Sequence, residues 1–164
     1  MKNSNLFTTT IILLGVLFNM NITYAQTASG RIIYTTIEEA RPAPKSMNGV
    51  SFQNGMFKAR LETDNSKSPF NKATGVCENW LVPGENGNAF IHGVCIFADP
   101  DGSTFVTYSS SKAKDKSSTI HIKGGTGKFL NLDGTGTSSK TLPLDADLKV
   151  DDCCMSTWKI KYKM

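Results

Sequence analysis

Two histidines, His92 and His121, are the side chains in this sequence best suited to proton transfer near neutral pH. His92 shares an alternating row with apolar residues such as Phe90 and Val94, and His121 lies between two isoleucines. A histidine in an apolar strand is usually a hydrogen-bonded structural residue. The alternative is an acid or base that lines a cavity, with a carboxylate such as that of Glu78 nearby.

Trp80 and Tyr108 are aromatic residues that could line the same cavity, although aromatic strand residues more often belong to a plain core. The residues predicted as a ligand pocket are therefore Trp80, His92, Tyr108, His121 and Glu78. No catalytic residue is assigned, because the sequence has neither a Gly-x-Ser-x-Gly nucleophile elbow nor a His-Glu-x-x-His metal motif.

The four cysteines indicate disulfide chemistry if the chain is exported. Cys77 and Cys95 fall on consecutive predicted strands, opposite each other or one diagonal apart, so a Cys77–Cys95 disulfide is predicted. Cys153 and Cys154 stay unassigned, because adjacent side chains on a strand point to opposite faces and four cysteines allow three pairings. A zinc site that joins this pair to a histidine lacks metal-ligand spacing, and no metal is predicted.

Residues 99–102, Asp-Pro-Asp-Gly, look at first like part of a calcium loop. An EF-hand needs acidic or amide residues at alternating positions and a distal Glu, whereas Ser-Thr-Phe-Val follows Gly102. Each of the four residues suits its position in a type I turn followed by a bulge. The sequence therefore predicts a structural turn between Ala98 and a strand at 103–108.

Five glycines fall within residues 124–137, Gly-Gly-Thr-Gly-Lys-Phe-Leu-Asn-Leu-Asp-Gly-Thr-Gly-Thr, and constrain the backbone more than any other stretch. The Gly-Lys pair invites a phosphate-binding interpretation. A P-loop, however, needs a glycine where Ile122 stands and a serine or threonine where Phe129 stands. Phosphate binding is therefore not predicted.

The same segment predicts a backbone shape. Its first three glycines indicate a sharp turn, and two large apolar residues three positions apart indicate a bulge or a single tight turn. The last two glycines indicate a strand packed closely against another backbone. The residues of this glycine motif are Gly124, Gly125, Gly127, Phe129, Leu132, Gly134 and Gly136.

The glycine motif also carries a family resemblance. Gly-Gly-Thr-Gly-Lys-Phe, followed by Leu132 and Gly134, resembles the Gly-Gly-Thr-Gly-x-Phe signature of dirigent proteins. It is also similar to a motif of small secreted bacterial proteins that share the allene oxide cyclase type of β-barrel. The resemblance implies an eight-stranded, calycin-like antiparallel barrel with a central cavity. It places no catalytic acid or base of the family on this sequence.

The first 25 residues have the pattern of a secretory signal peptide. Lys2 precedes an uncharged apolar run from Leu6 to Phe18, and small residues before Gln26 predict cleavage after Ala25. The run is too short to span a bilayer comfortably, and no cysteine follows it to take a lipid. We therefore expect a periplasmic or extracellular protein without a membrane anchor, with one domain over residues 26–164.

Charge gives little indication of a partner. The net charge of +4 is modest and the basic residues are dispersed along the chain, so no nucleic-acid partner is predicted. Neither the oligomeric state nor the identity of a ligand follows from the sequence.

Alternation and turn signals divide residues 26–164 into eight or nine short strands. The clearest are 89–98, which is apolar on both alternate rows, and the C-terminal segment, in which Trp158, Ile160 and Tyr162 alternate with lysines. Asn54-Gly55 predicts a two-residue hairpin turn between 49–53 and 56–61. Other predicted strands are 31–38, 70–82, 103–108 and 119–122, with a polar loop over 109–118 and a long connection over 138–152.

The fold class that follows is all-β: a single antiparallel β-barrel of about eight strands, with a sandwich as the alternative. A barrel of this size holds side chains or one small ligand. We expect non-enzymatic binding of a small apolar or aromatic ligand in the barrel mouth, without a cofactor. The alternative, motivated by the resemblance alone, is a cyclase-like or dirigent-like enzyme that steers ring closure or coupling.

Overall fold

A computed structural model describes residues 25–37, 45–47, 50–84, 88–139 and 152–164. The predicted signal peptide up to Tyr24, the prolines at 42 and 44, and most of the predicted connection over 138–152 lie outside these residues. Within them the chain is all-β, as predicted, and the only helical segment is a 3₁₀ turn. The elements are β1 (Gln26–Thr36), β2 (Lys45–Met47), β3 (Val50–Thr63), β4 (Thr74–Pro83), β5 (Ala89–Ala98), β6 (Thr104–Lys112), β7 (Ser117–Gly124), the 3₁₀ turn (Gly127–Phe129), β8 (Asp133–Ser139) and β9 (Asp152–Lys163).

The strands form a closed antiparallel barrel. From β3 to β9 each strand pairs with the next along the chain, and β1 then joins the two ends of the sheet. The central residue Ile32 of β1 lies opposite Leu61 of β3 on one side and Ser156 of β9 on the other. Eight strands therefore close the cylinder, while β2 pairs only with the start of β3. The predicted barrel is confirmed.

The strict alternation of β9 places its two faces as predicted. Trp158, Ile160 and Tyr162 are buried inside the barrel with exposures of 5%, 2% and 4%. Lys159 and Lys161 are exposed on the outer wall. Because side chains alternate across a strand, this one segment fixes which face of the neighbouring strands points inward.

One end of the barrel is filled with aromatic rings, which we call the aromatic plug: Phe70, Phe97, Phe105, Phe129, Trp158 and Tyr162. Phe70, from the connection between β3 and β4, is at its centre, with its ring centroid 4.9 Å from that of Tyr162 and 5.3 Å from that of Phe105. The sequence-based prediction placed Phe70 in a strand. Instead β4 begins at Thr74, and the turn before it carries Phe70 into the barrel.

The glycine motif closes the same end. Gly127 has φ of +57°, a conformation that favours glycine, and it begins the 3₁₀ turn that buries both Phe129 and Leu132. The predicted tight turn is therefore confirmed. A Cβ atom on Gly136 would lie 2.0 Å from the carbonyl oxygen of Lys159, so the predicted close backbone approach of β8 is also confirmed.

The hairpin predicted at Asn54-Gly55 is wrong, because both residues lie within the continuous strand β3. Asn54 pairs with Trp80 and Gly55 with Asn79, both on β4. A two-residue turn at Asn54-Gly55 would form backbone hydrogen bonds only between the two segments that flank it. The long strand instead pairs with β4 on one edge and, through its second half, with β1 on the other. Non-local pairing thus overrides the local turn preference of this dipeptide.

Strand boundaries between residues 104 and 124 also differ from the prediction. The segment 109–118, predicted as a polar loop, instead completes β6 up to Lys112 and begins β7 at Ser117. Only four residues connect the two strands. The serines of this segment therefore belong to the barrel wall, while the prediction for 89–98 as a strand is confirmed by β5.

Candidate functional site

The half of the barrel away from the aromatic plug encloses a cavity of about 200 Å³. It lies where β4 and β6 end and where β5 and β7 begin. Most of its lining side chains carry a hydroxyl group, and three isoleucines add aliphatic surface. The lining residues are Ile32, Tyr34, Asn79, Ile91, Cys95, Thr107, Ser109, Ser111, Ser118, Ile120, Ser138, Ser139 and Ser156. We call this part of the interior the hydroxyl cavity.

Alternation along the strands explains why the interior changes character. The inward row of β6 begins with Phe105 in the aromatic plug and continues with Thr107, Ser109 and Ser111 in the cavity. The inward row of β9 likewise passes from aromatic and aliphatic residues to Ser156, which is 2% exposed. Neighbouring strands switch at the same level, so the hydroxyl groups gather at one end of the barrel.

Four serine hydroxyl groups of the cavity have hydrogen-bond partners. The Ser118 hydroxyl donates to the Ser111 hydroxyl oxygen at 3.1 Å. The Ser138 hydroxyl donates to the carbonyl oxygen of Ser139 at 3.0 Å, and the hydroxyl oxygen of Ser139 accepts from the backbone N–H of Thr157. A serine hydroxyl can both donate and accept and can rotate. These groups could therefore exchange partners with a ligand at little cost.

The predicted disulfide forms part of this wall. Cys77 and Cys95 lie directly opposite each other on β4 and β5, and their sulfur atoms are bonded. The Cys77–Cys95 prediction is confirmed. Cys95 reaches the hydroxyl cavity, so the disulfide ties together two strands that form its wall. Cys154 lies on β9, and the side chain of Cys153 is outside the part of the chain that the structure describes.

None of the five residues predicted as a ligand pocket lines the hydroxyl cavity. Because Cys77, Asn79, Cys95 and Thr107 point inward, the alternate positions on the same strands point outward. Both histidines are exposed, and Tyr108 is 46% exposed. The outward-facing residues are Glu78, Trp80, His92, Tyr108 and His121. The expectation that they line the barrel mouth is therefore corrected: they lie together on the outer wall.

Sequence reasoning missed most of the cavity serines because 109–118 is predicted as a loop and 138–152 as a connection, whereas Ser156 falls on the same predicted row as Trp158. A signal was present in the alternation of Thr107, Ser109 and Ser111, which has the period of a strand. Serine gives little indication of a core position, since it is mostly exposed in proteins. An inward row of serines is nevertheless the pattern expected of a barrel that leaves room for a ligand.

The turn at 99–102 has the predicted structural form and holds an ammonium group. The N–H of Gly102 donates to the carbonyl oxygen of Asp99 at 2.9 Å, and Gly102 has φ of +84°, as a type I turn with a bulge requires. The ammonium group of Lys128, from the glycine motif, donates to the carboxylate of Asp99 and lies 3.3 Å from that of Asp101. The lysine therefore joins this turn to the glycine motif at the aromatic end.

Hydrogen bonds set the charge states of this cluster. The pKa of Asp101 is held below its ordinary value of 3.8 by two hydrogen bonds from Ser103. The bond from the Ser103 backbone N–H has the largest effect, the bond from its side chain comes next, and Lys128 contributes to the same shift. Burial lowers the pKa of Lys128, but hydrogen bonds to Asp99 and Asp101 outweigh it, so the pKa is raised above 10.5. Asp101 and Lys128 are therefore both charged across the neutral range.

Replacing Lys128 with methionine should lower the free energy of unfolding by about 1–2 kcal/mol at pH 7, because the Asp99 side chain, only 8% exposed, would lose its charged partner. Because the pKa of Lys128 is raised above 10.5 in the fold, the contribution of its ion pairs is fully present below pH 10.5 and is lost as the pH rises through the folded-state value. The difference between wild type and variant, measured by urea unfolding, should therefore be constant near neutral pH and shrink above pH 10.5.

The matched control is Lys123→Met, which removes an ion pair with Asp133 whose side chains are 54% and 46% exposed. Such an exposed pair should contribute less than about 1 kcal/mol. Equal losses for the two variants would contradict the structural role of Lys128. A rise in the melting temperature with calcium that Asp99→Ala abolishes would contradict the interpretation of the turn as structural.

Among the described residues, no group of three or more His, Cys, Asp or Glu side chains is placed to hold a metal ion. No helix in the described ranges has the length and apolar character needed to cross a membrane. In comparisons with known proteins, no family model matches the chain, and no curated protein matches its sequence significantly.

Proposed function

We propose that this protein binds a small uncharged molecule in the hydroxyl cavity. The observation that carries the proposal is the division of the barrel interior into a solid aromatic plug and a cavity of about 200 Å³. Pockets for drug-sized ligands are roughly 300–1,000 Å³. The volume here favours a smaller molecule, about the size of a single substituted ring.

The lining favours a ligand with an apolar or aromatic body and one or more oxygen atoms. Ile32, Ile91 and Ile120 offer aliphatic surface to the body of the ligand. The serine hydroxyls and the amide of Asn79 offer donors and acceptors to its polar groups. Among the described lining residues there is no Asp, Glu, His, Lys or Arg, so a charged ligand would lose its water without gaining a counter-charge.

The same lining favours binding over chemistry. Ring closure or proton transfer needs an acid or base within reach of the reacting atoms. The histidines and Glu78, which would have supported the cyclase-like or dirigent-like alternative, lie on the outer wall. Of the described lining residues, Tyr34 alone has a side chain that titrates, since Cys95 is in a disulfide. We therefore propose a binding protein and do not propose an enzyme.

The test begins with native mass spectrometry of the protein purified from its own source, where a small bound mass is expected. Titrations followed by NMR then compare benzyl alcohol with its charged relatives benzoate and benzylammonium. We expect benzyl alcohol alone to shift cavity resonances. Ser109→Leu, which fills the cavity, should weaken its binding at least tenfold, about 1.4 kcal/mol.

Ser110→Leu is the matched control, because Ser110 is the next residue on β6 and is exposed on the outer wall. It should leave the binding of benzyl alcohol unchanged. The proposal fails if neither a co-purified mass nor a Ser109-dependent titration is found. Preferential binding of benzoate or benzylammonium would overturn the inference of a neutral ligand.

A further inference from the structure

The indole N–H of Trp158 is a hydrogen-bond donor buried inside the barrel. Trp158 is only 5% exposed. Among the described residues, its Nε1 atom is the one buried side-chain nitrogen or oxygen without a hydrogen-bond partner. Buried polar groups in proteins are nearly always paired, so an unpaired donor needs an explanation. The N–H group is available to an acceptor that these residues do not supply.

Trp158 lies between the aromatic plug and the hydroxyl cavity. Ser156, the next inward residue of β9, lines the cavity. Ser138, which lies directly opposite Trp158 on β8, lines it as well. Residues directly opposite on paired strands have Cβ atoms about 5 Å apart. The indole is therefore adjacent to the inner end of the hydroxyl cavity.

A narrow void of about 30 Å³ lies beside the indole. Trp158 lines this void, and Ile32, Thr107 and Ile120 line both the void and the hydroxyl cavity, so only shared side chains separate the two spaces. The void has room for one water molecule or one oxygen-bearing group of a ligand. A buried water needs two to four polar partners, whereas Trp158 and Thr107 alone have polar side chains among the described lining residues. The void therefore suits the oxygen atom of a ligand better than a water.

The chemistry of the donor narrows the class of ligand. An indole N–H only donates, whereas the serine hydroxyls of the cavity donate and accept. We propose that Trp158 determines specificity by donating its N–H to a carbonyl oxygen, so that the ligand is a ketone or aldehyde with an apolar ring. Because the N–H is already buried, this hydrogen bond forms without the cost of removing the donor from water. The inference rests on the proposed function, whose neutral ligand it narrows to a carbonyl compound.

The first test follows the two indole N–H resonances of the ¹⁵N-labelled wild type by NMR while acetophenone is added. The Trp158 resonance should move downfield, and that of Trp80, on the outer wall, should stay in place. An unmoved Trp158 resonance while cavity resonances shift would overturn the inference but not the proposed cavity. The N–H would then be satisfied otherwise, for example by the face of the Phe70 ring, whose centroid lies 6.1 Å from that of the indole. A lack of any acetophenone binding would also overturn the inference, and the benzyl alcohol titration decides the proposed function separately.

The second test compares acetophenone with α-methylstyrene, which has the same shape but a CH₂ group in place of the carbonyl oxygen. Trp158→Phe removes the N–H and should shift the ratio of the two dissociation constants at least tenfold against acetophenone. The space left by the smaller ring affects both ligands alike, so it cancels in this ratio. Trp80→Phe is the matched control and should leave the ratio unchanged. A ratio that is the same in Trp158→Phe and the wild type would overturn the inference. The resonance test uses the wild type, so it decides the inference even if Trp158→Phe does not fold.

Discussion

Replacing Phe70 with alanine should lower the free energy of unfolding by about 3–5 kcal/mol. Phe70 is fully buried, and its ring centroid lies 5.7 Å from that of Phe129 and 6.1 Å from that of Trp158. A void of about 30 Å³, lined by apolar side chains and Thr107, already borders the ring. Truncation would enlarge this void, because the barrel wall around it is held by backbone hydrogen bonds and cannot collapse. Urea unfolding followed by tryptophan fluorescence measures the loss.

Leu130→Ala is the matched control, since Leu130 is a neighbour of the aromatic plug in sequence but is 69% exposed. Its removal should change stability by less than about 0.5 kcal/mol. If Phe70→Ala were no more destabilising than Leu130→Ala, the aromatic plug would not be the main packed core of the barrel.

Removing the Cys77–Cys95 disulfide should lower the free energy of unfolding by about 3 kcal/mol. The bond joins residues 18 positions apart and restricts the unfolded chain, while the two strands stay paired in the folded state through their own ladder. The double variant Cys77→Ala/Cys95→Ala should therefore fold to the same barrel with reduced stability. Urea unfolding with and without dithiothreitol makes the comparison.

The reducing agent supplies an internal control for the disulfide. Dithiothreitol should lower the stability of the wild type towards that of the double variant and should leave the double variant unchanged. A wild type that is insensitive after complete reduction, verified by thiol titration of the unfolded protein, would show that this bond contributes nothing to the barrel.

In the parts of the fold that were predicted correctly from the sequence, the residue pattern is compatible with only one structural arrangement. In β9, one row is aromatic or aliphatic and the other contains lysines, so only one face can be buried. The glycine motif is similar, because Gly127 and Gly136 occupy positions where a side chain would be strained or would overlap backbone. The pairing of Cys77 with Cys95 followed from two strands joined by a short loop.

In the parts that were predicted wrongly, the local residue pattern is compatible with two structural arrangements. Both alternate rows of β5 are apolar, so nothing within the strand shows whether Phe90 and His92 or Ile91 and Cys95 face inward. The register with β4 decides this, since Cys77 must share the buried face with Cys95. The orientation of the histidines, and therefore the position of the candidate site, depends on pairing between distant segments.

The structure at Asn54-Gly55 also depends on pairing between distant segments. The dipeptide is well suited to a tight turn, but a closed cylinder needs a long strand at this position to reach both of its neighbours. The hydroxyl cavity also escaped prediction, because serine is common in turns and is mostly exposed in proteins, so it gives little indication of an inward position. Closure, rather than local preference, determines both features.

The division of the interior along its axis has a consequence for how such a protein can diversify. The aromatic half and the glycine motif hold the cylinder shut, whereas Ser109 and Ser111 touch the cavity and contribute little to that closure. Exchanges among small side chains in the hydroxyl half can therefore alter which ligand is accepted while the stability of the barrel is retained. Two proteins with this same cylinder could carry different cargoes and still unfold at nearly the same temperature.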